Sequence, residues 1–232
     1  MFKKEDEFDN EILKHWGRKV VFLDGIADIK QYKRTNPKKL LWILKEPNKS
    51  KKDKIENLRE LFLDVTIFQD WQRSYKRIML ASDMILNNST ILPDIDILLT
   101  EEMYPINKIA IINVNKNGGN SKSNQDVINM HYKNRKEKLL EQVKGIAPDI
   151  IINCSLVNDF YNDIKHAYKL NNENIIIDSY KRKIGYAYNT KKLLINYYHP
   201  NCHSKGMTDE WYCKNIFKIY NKWQKLINKL ST

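Results

Sequence analysis

The sequence is poor in cysteine, glycine and proline, and each shortage removes a class of protein. Its 232 residues include three cysteines, seven glycines and six prolines. The low glycine and proline content excludes collagen-like and linker-dominated architectures. The cysteines Cys154, Cys202 and Cys213 form no Cys-x-x-Cys pair, which argues against a disulfide framework, a four-thiolate zinc site and an iron–sulfur cluster. We therefore expect reduced thiols.

The sequence also lacks a long apolar segment. Its longest apolar runs, such as Ile109–Ile112, are far too short to span a bilayer. No apolar stretch follows the first lysines, so no signal peptide is visible. We therefore expect a soluble, cytoplasmic monomer with no membrane partner.

Basic residues outnumber acidic ones, 40 against 28, which gives a formal net charge of +12. This excess favours a polyanionic partner such as DNA. The chain is also rich in Asn and Ile, a pattern typical of AT-rich genomes that raises the lysine content without a functional demand. The basic clusters at 49–54, 181–183 and 191–192 flank apolar runs, so they are better candidates for phosphate contacts than the total charge; the alternative for each is a solvated loop.

Short apolar runs alternate with helical patterns along the chain. Runs rich in β-branched residues predict strands buried on both faces, at 40–44, 109–114, 150–154, 175–177 and 193–198. Apolar residues at helical spacing predict helices that start near Asp53, Trp71, Lys133, Leu156 and Thr208.

This alternation predicts an α/β protein with three layers, α/β/α, around a central, mainly parallel sheet of four to five strands. No Pro-, Gly- or Ser-rich linker divides the chain. We therefore predict a single domain over residues 1–232, in which residues 1–39 form a helical or irregular extension.

Polar residues follow four of the predicted strands. In open parallel sheets, ligands bind outside the carboxyl ends of the strands. The residues in these positions are Lys45–Asn48, Asn113–Lys116, Cys154–Ser155 and His199–Asn201. A carboxylate, several amides and an imidazole would then meet in one cleft, which predicts a hydrolytic or base-recognition site.

Each of these side chains suits such a site. Pro47 restricts the backbone of Glu46, so the carboxylate would point into the cleft and could orient a water or stabilise a cation. Asn113 and Asn115 lie at the end of the second strand, and a side-chain amide offers the donor and acceptor needed to read a nucleobase. His199 could donate a hydrogen bond. The alternatives are a solvated loop acid, chance asparagines in an Asn-rich chain and a structural histidine.

A zinc site at the last strand end is the competing interpretation. His199, Cys202 and His203 are closely spaced, and Cys213 follows them. They lack the two separated ligand pairs of a structural zinc site, so we expect no metal here.

The first two strand ends resemble motifs of the uracil-DNA glycosylase superfamily. Leu41–Pro47 resembles the family's first motif, in which Glu46 takes the position of the water-orienting side chain. Ile111–Lys116 resembles the second strand of the bacterial and archaeal branches, where an Asn three residues before Lys contacts the base. The resemblance therefore assigns Asn113 to base recognition.

Two further segments resemble the same superfamily, in the same order along the chain. Leu139–Ile152 is similar to its helix–Pro–strand passage. His199–Ser204 resembles its closing motif His-Pro-Ser-x-x-Ser, with His199 as the catalytic histidine and Ser204 as the distal serine. Asn201 replaces the first serine of this motif, and His203 lies where some members insert a leucine into the duplex.

The resemblance implies a DNA glycosylase that hydrolyses the N-glycosidic bond of a flipped-out base without a metal or cofactor, in base-excision repair or anti-phage defence. Uracil is the default base, and a modified pyrimidine such as a phage hypermodified cytosine is the alternative. Catalysis is assigned to Glu46 and His199. Substrate binding is assigned to Pro47, Asn48, Asn113, Asn115, Lys116, Asn201, His203 and Ser204.

The aromatic residue that would stack on the base is not defined by a motif, and Phe62, Phe68 and Trp71 are candidates. Two other functions stay open at this point. One is a superfamily member that binds nucleic acid without cleaving it. The other is a metal-dependent α/β hydrolase or nuclease that uses Glu46 with His199 and His203.

Overall fold

The structure, a computed structural model, describes residues 5–16, 21–35, 38–47, 55–64, 73–100, 104–119, 123–178, 183–204 and 206–230. The helices in these ranges are α1 (Glu5–Trp16), α2 (Ile29–Arg34), α3 (Leu58–Leu63), α4 (Arg73–Leu86), α5 (Ile95–Leu98), α6 (Gln125–Ile146), α7 (Asn158–Ala167) and α8 (Asp209–Leu230). The strands are β1 (Val21–Leu23), β2 (Gly25–Ile26), β3 (Leu40–Leu44), β4 (Ile55–Asn57), β5 (Ala110–Asn113), β6 (Ile150–Asn153), β7 (Asn172–Ile177), β8 (Lys183–Tyr188) and β9 (Leu193–Asn196).

A seven-stranded mixed sheet forms the centre of the protein, with strand order β2-β5-β3-β6-β9-β8-β7. The four middle strands β5, β3, β6 and β9 are parallel. The outer strands are antiparallel to their neighbours, β2 on one side and β8 and β7 on the other. β1 and β4 pair separately as a parallel ribbon.

The α/β class is confirmed, whereas the predicted sheet of four to five mainly parallel strands is wrong, because the sheet is larger and mixed. The five predicted strands are present as β3, β5, β6, β7 and β9, but β7 is not buried on both faces as predicted, because it is exposed along most of its length, with Ile175 59% and Ile177 69% exposed. Two further strands lack the apolar run used to find the others. β2 is only two residues long, and only three of the six residues of β8 are buried.

Side chains alternate between the two faces of the sheet. Leu40, Trp42 and Leu44 of β3 belong to the cluster that includes apolar residues of α4 and α8. Leu41 and Ile43 belong to a second cluster, which includes apolar residues of α1, α6 and α7. Helices therefore bury both faces of the middle strands, which explains why these strands read as continuous apolar runs.

The predicted helices differ from the observed ones mainly at their starts. Asp53 lies outside the described residues, and the chain after it forms β4 and then α3, which Asn57 caps. The helix predicted from Lys133 is longer, since α6 starts at Gln125 behind the cap residue Asn124. The hydroxyl of Thr208 accepts from the Trp211 amide at the start of α8, as the sequence suggested. None of the helices in the described residues is long and apolar enough to cross a membrane.

Residues 1–39 contribute α1, β1, β2 and α2. β2 is the strand that pairs with β5 at one side of the sheet. This segment also supplies the buried Asp24, which contacts the end of β5.

Candidate active site

The segments that follow the four parallel strands lie side by side at one edge of the sheet. Backbone hydrogen bonds continue past the strands from Asn115 N to Lys45 O (2.9 Å), from Cys154 N to Ile43 O (2.8 Å) and from Tyr197 N to Asn153 O (2.9 Å). The order of the segments is therefore that of strands β5, β3, β6 and β9. These are the four segments that the sequence predicted to converge.

The Glu46 carboxylate is held by Asn115. Asn115 Nδ2 donates to Glu46 Oε2 at 2.8 Å, and Asn115 Oδ1 accepts from the Asn117 backbone at 3.0 Å. Asn115 is buried, whereas Glu46 is only partly buried. The Asn117 backbone N–H holds the Asn115 amide, and this amide in turn orients the Glu46 carboxylate. The remaining edge of the Glu46 carboxylate can accept a hydrogen bond from another donor, such as a water.

Gly119 packs directly against the same carboxylate. A Cβ atom built on Gly119 would lie 1.9 Å from Glu46 Cδ and 2.1 and 2.3 Å from its two oxygens. The Gly119 amide donates to Pro47 O at 2.9 Å, so the loop after β5 is tied to the loop after β3. The Glu46 carboxylate is thus confined between the side-chain amide of Asn115 and the backbone of Gly119.

Two basic residues lie within electrostatic range of Glu46. Burial lowers the pKa of Lys45, and the Glu46 charge opposes this effect. His131, on α6, has a pKa lowered by burial and by the charge of Arg135, while Glu46 again opposes the shift. Arg135 Nη1 contacts His131 Nδ1 at 3.2 Å, so the ring nitrogen accepts and His131 is neutral.

His199, which follows β9, is also neutral. Burial, followed by the positive charge of Lys45, lowers its pKa to about 4. The Asn201 backbone N–H donates to His199 Nδ1 at 3.2 Å. A backbone N–H can only donate, so Nδ1 accepts and the ring proton lies on Nε2. His199 therefore has a free N–H to offer to an oxygen atom.

Arg77 of α4 holds the loop that carries His199. Its buried guanidinium donates to Pro200 O and Cys202 O, each at 3.0 Å, to Met207 O at 2.7 Å and to Asp209 Oδ1 at 2.8 Å. One side chain thus satisfies three backbone carbonyls and a carboxylate across residues 200–209. The loop is therefore tied to α4 through Arg77, in addition to the hydrogen bonds within the loop from Cys202 N to His199 O and from Met207 N to Ser204 O.

The remaining predicted residues of this loop lie further along it. The exposed His203 ring contacts the guanidinium of Arg73 through its Nδ1 atom. Ser204 Oγ lies 3.8 Å from Cys202 Sγ. Arg73 and His203 form a polar, basic rim on the α4 side of the site.

Asn113 and Lys116 lie in a buried cluster below the strand end. Asn113 donates to Asp24 Oδ2 from its backbone N (2.7 Å) and its Nδ2 (3.2 Å). Lys116 Nζ donates to Asp24 Oδ1 at 2.6 Å and to Asn113 O at 3.0 Å, and Gln142 also donates to Asp24. Lys116 is 0% exposed, so its ammonium group pairs with the buried Asp24 and does not reach the protein surface.

Several predicted residues fall outside this site or outside the described residues. Asn48, residues 49–54, Phe68, Trp71 and residues 181–182 lie outside the described residues. Phe62 is fully buried in the core, where its ring centroid lies 5.6 Å from that of Tyr75. The basic pair at 191–192 precedes β9, at the opposite edge of the sheet, and Lys192 pairs with Asp149.

The sequence missed the residues that position the site. Asn115 was assigned to substrate, but its contact is with Glu46. Arg77 lies inside a regular amphipathic helix and Asp24 in a short turn, so neither carries a local signal. The pair Gly118–Gly119, which allows close approach to a backbone, was the one pattern that could have indicated the packing against Glu46.

No protein-family model matches this chain, and no curated protein matches it either. In the part of the chain that the structure describes, no group of three or more His, Cys, Asp or Glu side chains could hold a metal ion.

Proposed function

We propose that this chain is a monofunctional DNA glycosylase that hydrolyses the N-glycosidic bond of a flipped-out base. The observation that carries the proposal is the pairing, at one sheet edge, of an oriented carboxylate with a neutral imidazole whose Nε2 bears the proton. The proposed fold is the three-layer α/β/α arrangement of the uracil-DNA glycosylase superfamily. The enzyme would act as a cytoplasmic monomer, with uracil or a modified pyrimidine as the base, in repair or anti-phage defence.

The two side chains suit the two halves of this reaction. As the C1′–N bond breaks, its electron pair leaves with the base and positive charge develops on the sugar. The Glu46 carboxylate would stabilise that charge and orient the water that adds its oxygen to C1′, taking up the water's proton. The His199 Nε2–H would donate to the carbonyl oxygen of the leaving base; one such donor is worth about 3 kcal/mol, or about 100–1000-fold in rate.

The supporting residues fit the same scheme. Asn115 and Gly119 would keep Glu46 in place, and Arg77 would keep His199 in place. Lys45 would help to keep His199 neutral. We assign Lys116 to the support of β5 through Asp24 rather than to DNA.

DNA is the proposed partner because the chain carries a net charge of +12 and because α4 places two basic side chains beside the loop of His199: the exposed Arg73, which contacts His203, and the 44% exposed Lys76, which pairs with Asp209. Each phosphate contact releases counterions, so the affinity for DNA should fall as salt is added. On duplex DNA, the logarithm of the binding constant should fall by about 0.9 per phosphate contact for each tenfold increase in salt concentration. A flat response between 50 and 200 mM salt would contradict a phosphate-binding surface.

The decisive experiment is an excision assay on oligonucleotides that contain uracil, hypoxanthine or modified cytosines, with EDTA present. Wild-type protein should leave abasic sites, which alkali converts to strand breaks. Glu46→Gln keeps the shape but removes the charge, so it should lose about 100-fold or more in single-turnover rate while DNA affinity is retained. His199→Ala should also slow excision.

Thermal unfolding of each variant separates catalysis from folding. Variants that stay folded but do not cut support the assignment. An active, stable Glu46→Gln protein would reject it, and activity that EDTA abolishes would support the metal-dependent hydrolase instead. Binding without excision of any base would support the non-cleaving alternative.

A further inference from the structure

Leu156 has an unusual backbone conformation at the edge of the sheet where Glu46 and His199 lie. It follows β6, and β6 lies between β3, which leads to Glu46, and β9, which leads to His199. Its φ angle is +59°, in the left-handed region that β-carbon crowding makes unfavourable for leucine and that glycine and asparagine adopt more readily. Its side chain is 42% exposed, although Ser155 and Val157 on either side are buried.

The backbone around Leu156 is fixed by side chains. Gln125 Nε2 donates to the carbonyl oxygens of Ser155 (3.3 Å) and Leu156 (3.2 Å). Ser155 Oγ donates to Asn153 Oδ1 at 2.6 Å and accepts from the Val157 amide at 3.2 Å. Leu156 therefore lies in a turn whose conformation these hydrogen bonds hold, and not in a loosely held loop.

Packing explains only in part why this residue is a leucine. At 42% exposure the side chain gains only part of the stabilisation of full burial, and its conformation costs free energy that glycine or asparagine would save. Three other non-glycine residues among those described have a left-handed φ, namely Asn88, Ala147 and Lys169, and each lies just after the end of a helix, where such a residue is common, whereas Leu156 follows a strand. Strain that surrounding hydrogen bonds enforce is a mark of functional sites.

We propose that Leu156 is a substrate-positioning residue that makes an apolar contact with the nucleotide entering the site. This inference rests on the proposed glycosylase function and adds a residue to it. Glu46 and His199 provide charge and hydrogen bonding, whereas the sugar and the base face also need an apolar surface to hold them while the bond breaks. Leu156 offers that surface from the strand end between the two catalytic residues.

The test uses Leu156→Asn and Leu156→Gly, which suit the backbone, and Leu156→Met, which keeps an apolar side chain. The first two should have a melting temperature equal to or above that of the wild type, because the strain is relieved. Their kcat/KM for excision should fall about 10–100-fold, the range expected for a lost apolar contact. Leu156→Met should retain activity within about threefold of wild type. Ile97→Asn, which changes another exposed apolar residue, on α5, is the control and should match the wild type.

Two substrates define what Leu156 contacts. If it contacts the nucleotide itself, the loss should be equal in single-stranded and duplex DNA. A loss in duplex alone would overturn the proposal, and so would full activity of Leu156→Asn.

Binding to the same oligonucleotides is measured in parallel by fluorescence anisotropy. If the wild type binds DNA but excises nothing, the glycosylase proposal fails while the affinity of Leu156→Asn still tests the contact: weaker binding supports it and unchanged binding rejects it. A wild type that neither binds nor excises would overturn both proposals.

Discussion

The carboxylate of Glu46 occupies the space that a side chain on Gly119 would need. The closest approach of a Cβ atom at this glycine would be 1.9 Å, to Glu46 Cδ, far below any real contact. The loops after β3 and β5 are joined at the same point by the bond from Gly119 N to Pro47 O. The position of the proposed catalytic carboxylate therefore depends on the absence of a side chain at Gly119, in another loop.

Gly119→Ala should displace Glu46 and leave the fold intact. The added methyl group meets the end of a partly buried side chain, so we expect Glu46 to move and excision to fall by about 100-fold. Gly185→Ala on β8 is the matched control, because its Cβ would lie 3.9 Å from Tyr161 Oη, an ordinary contact. Single-turnover rates and melting temperatures of both variants make the comparison. Equal activity of Gly119→Ala and Gly185→Ala would show that Glu46 need not be held in this place.

The two asparagines of the β5 end should respond differently to the same substitution. Asn115→Asp replaces the donor to Glu46 with a second carboxylate, which repels the Glu46 carboxylate instead of holding it, so excision at pH 7 should fall by about 100-fold. Asn113→Asp removes the Nδ2 donor to Asp24 and buries another acid there, so stability should fall by about 1–3 kcal/mol.

Denaturant unfolding and excision on the base panel test this pair. If Asn113 reads the base, Asn113→Asp should instead change which base is accepted while stability is kept. If Asn115→Asp is fully active, the hydrogen bond to Glu46 is incidental.

The sequence could predict the middle of the fold because the middle strands are covered on both faces. Such strands carry apolar residues at successive positions, as at residues 150–152 of β6, and the pattern is visible without any contact information. β8 is half covered and β2 has only two residues, so their pairing depends on neighbours that are distant in sequence. For that reason, the sequence alone does not predict the number of strands in the sheet or the antiparallel direction of its outer strands.

The residues of the candidate site likewise fall into those that the sequence can predict and those that only the fold brings together. Residues at strand ends, such as Glu46 and His199, follow from the position of the strands and a general rule of parallel sheets. Residues that support the site, such as Arg77 for the loop of His199 and Asp24 for the end of β5, contact Pro200 and Asn113, which are 123 and 89 positions away in the chain. A single sequence carries no pattern for such pairings, and only the fold brings them together.

Arg77 should be the most important single residue for the loop of His199. Arg77→Met leaves three backbone carbonyls without this donor and removes one of the two cationic partners of Asp209, so the free energy of unfolding should fall by about 3–5 kcal/mol. Lys76→Met removes the other partner of Asp209, but Lys76 is 44% exposed and its pair should be worth less than about 1 kcal/mol. Urea unfolding of both variants checks the difference. Comparable small losses would mean that the loop holds its conformation without Arg77.

The lowered pKa of His199 has a consequence for stability that can be isolated. Burial, then the charge of Lys45, brings the pKa to about 4 from the ordinary value of 6.5. Between these values the unfolded chain binds a proton that the folded protein does not, so stability is complete above pH 6.5 and falls as the pH drops towards 4. By pH 5 the loss from this residue should be about 2 kcal/mol, since one pKa unit corresponds to about 1.4 kcal/mol.

His199→Gln removes this contribution and leaves the other titrating groups in place. The wild type should therefore lose about 2 kcal/mol more than His199→Gln between pH 7 and pH 5, measured by urea unfolding at each pH. Excision by the wild type should not follow this loss while the protein stays folded, because the folded-state ring remains neutral at pH 5 and still offers its Nε2 proton. Parallel stability curves for the two proteins would show that the ring titrates normally. Excision that falls with an apparent pKa near 6.5 while the protein stays folded would also show that the His199 ring titrates normally. That result would exclude a neutral imidazole from the mechanism.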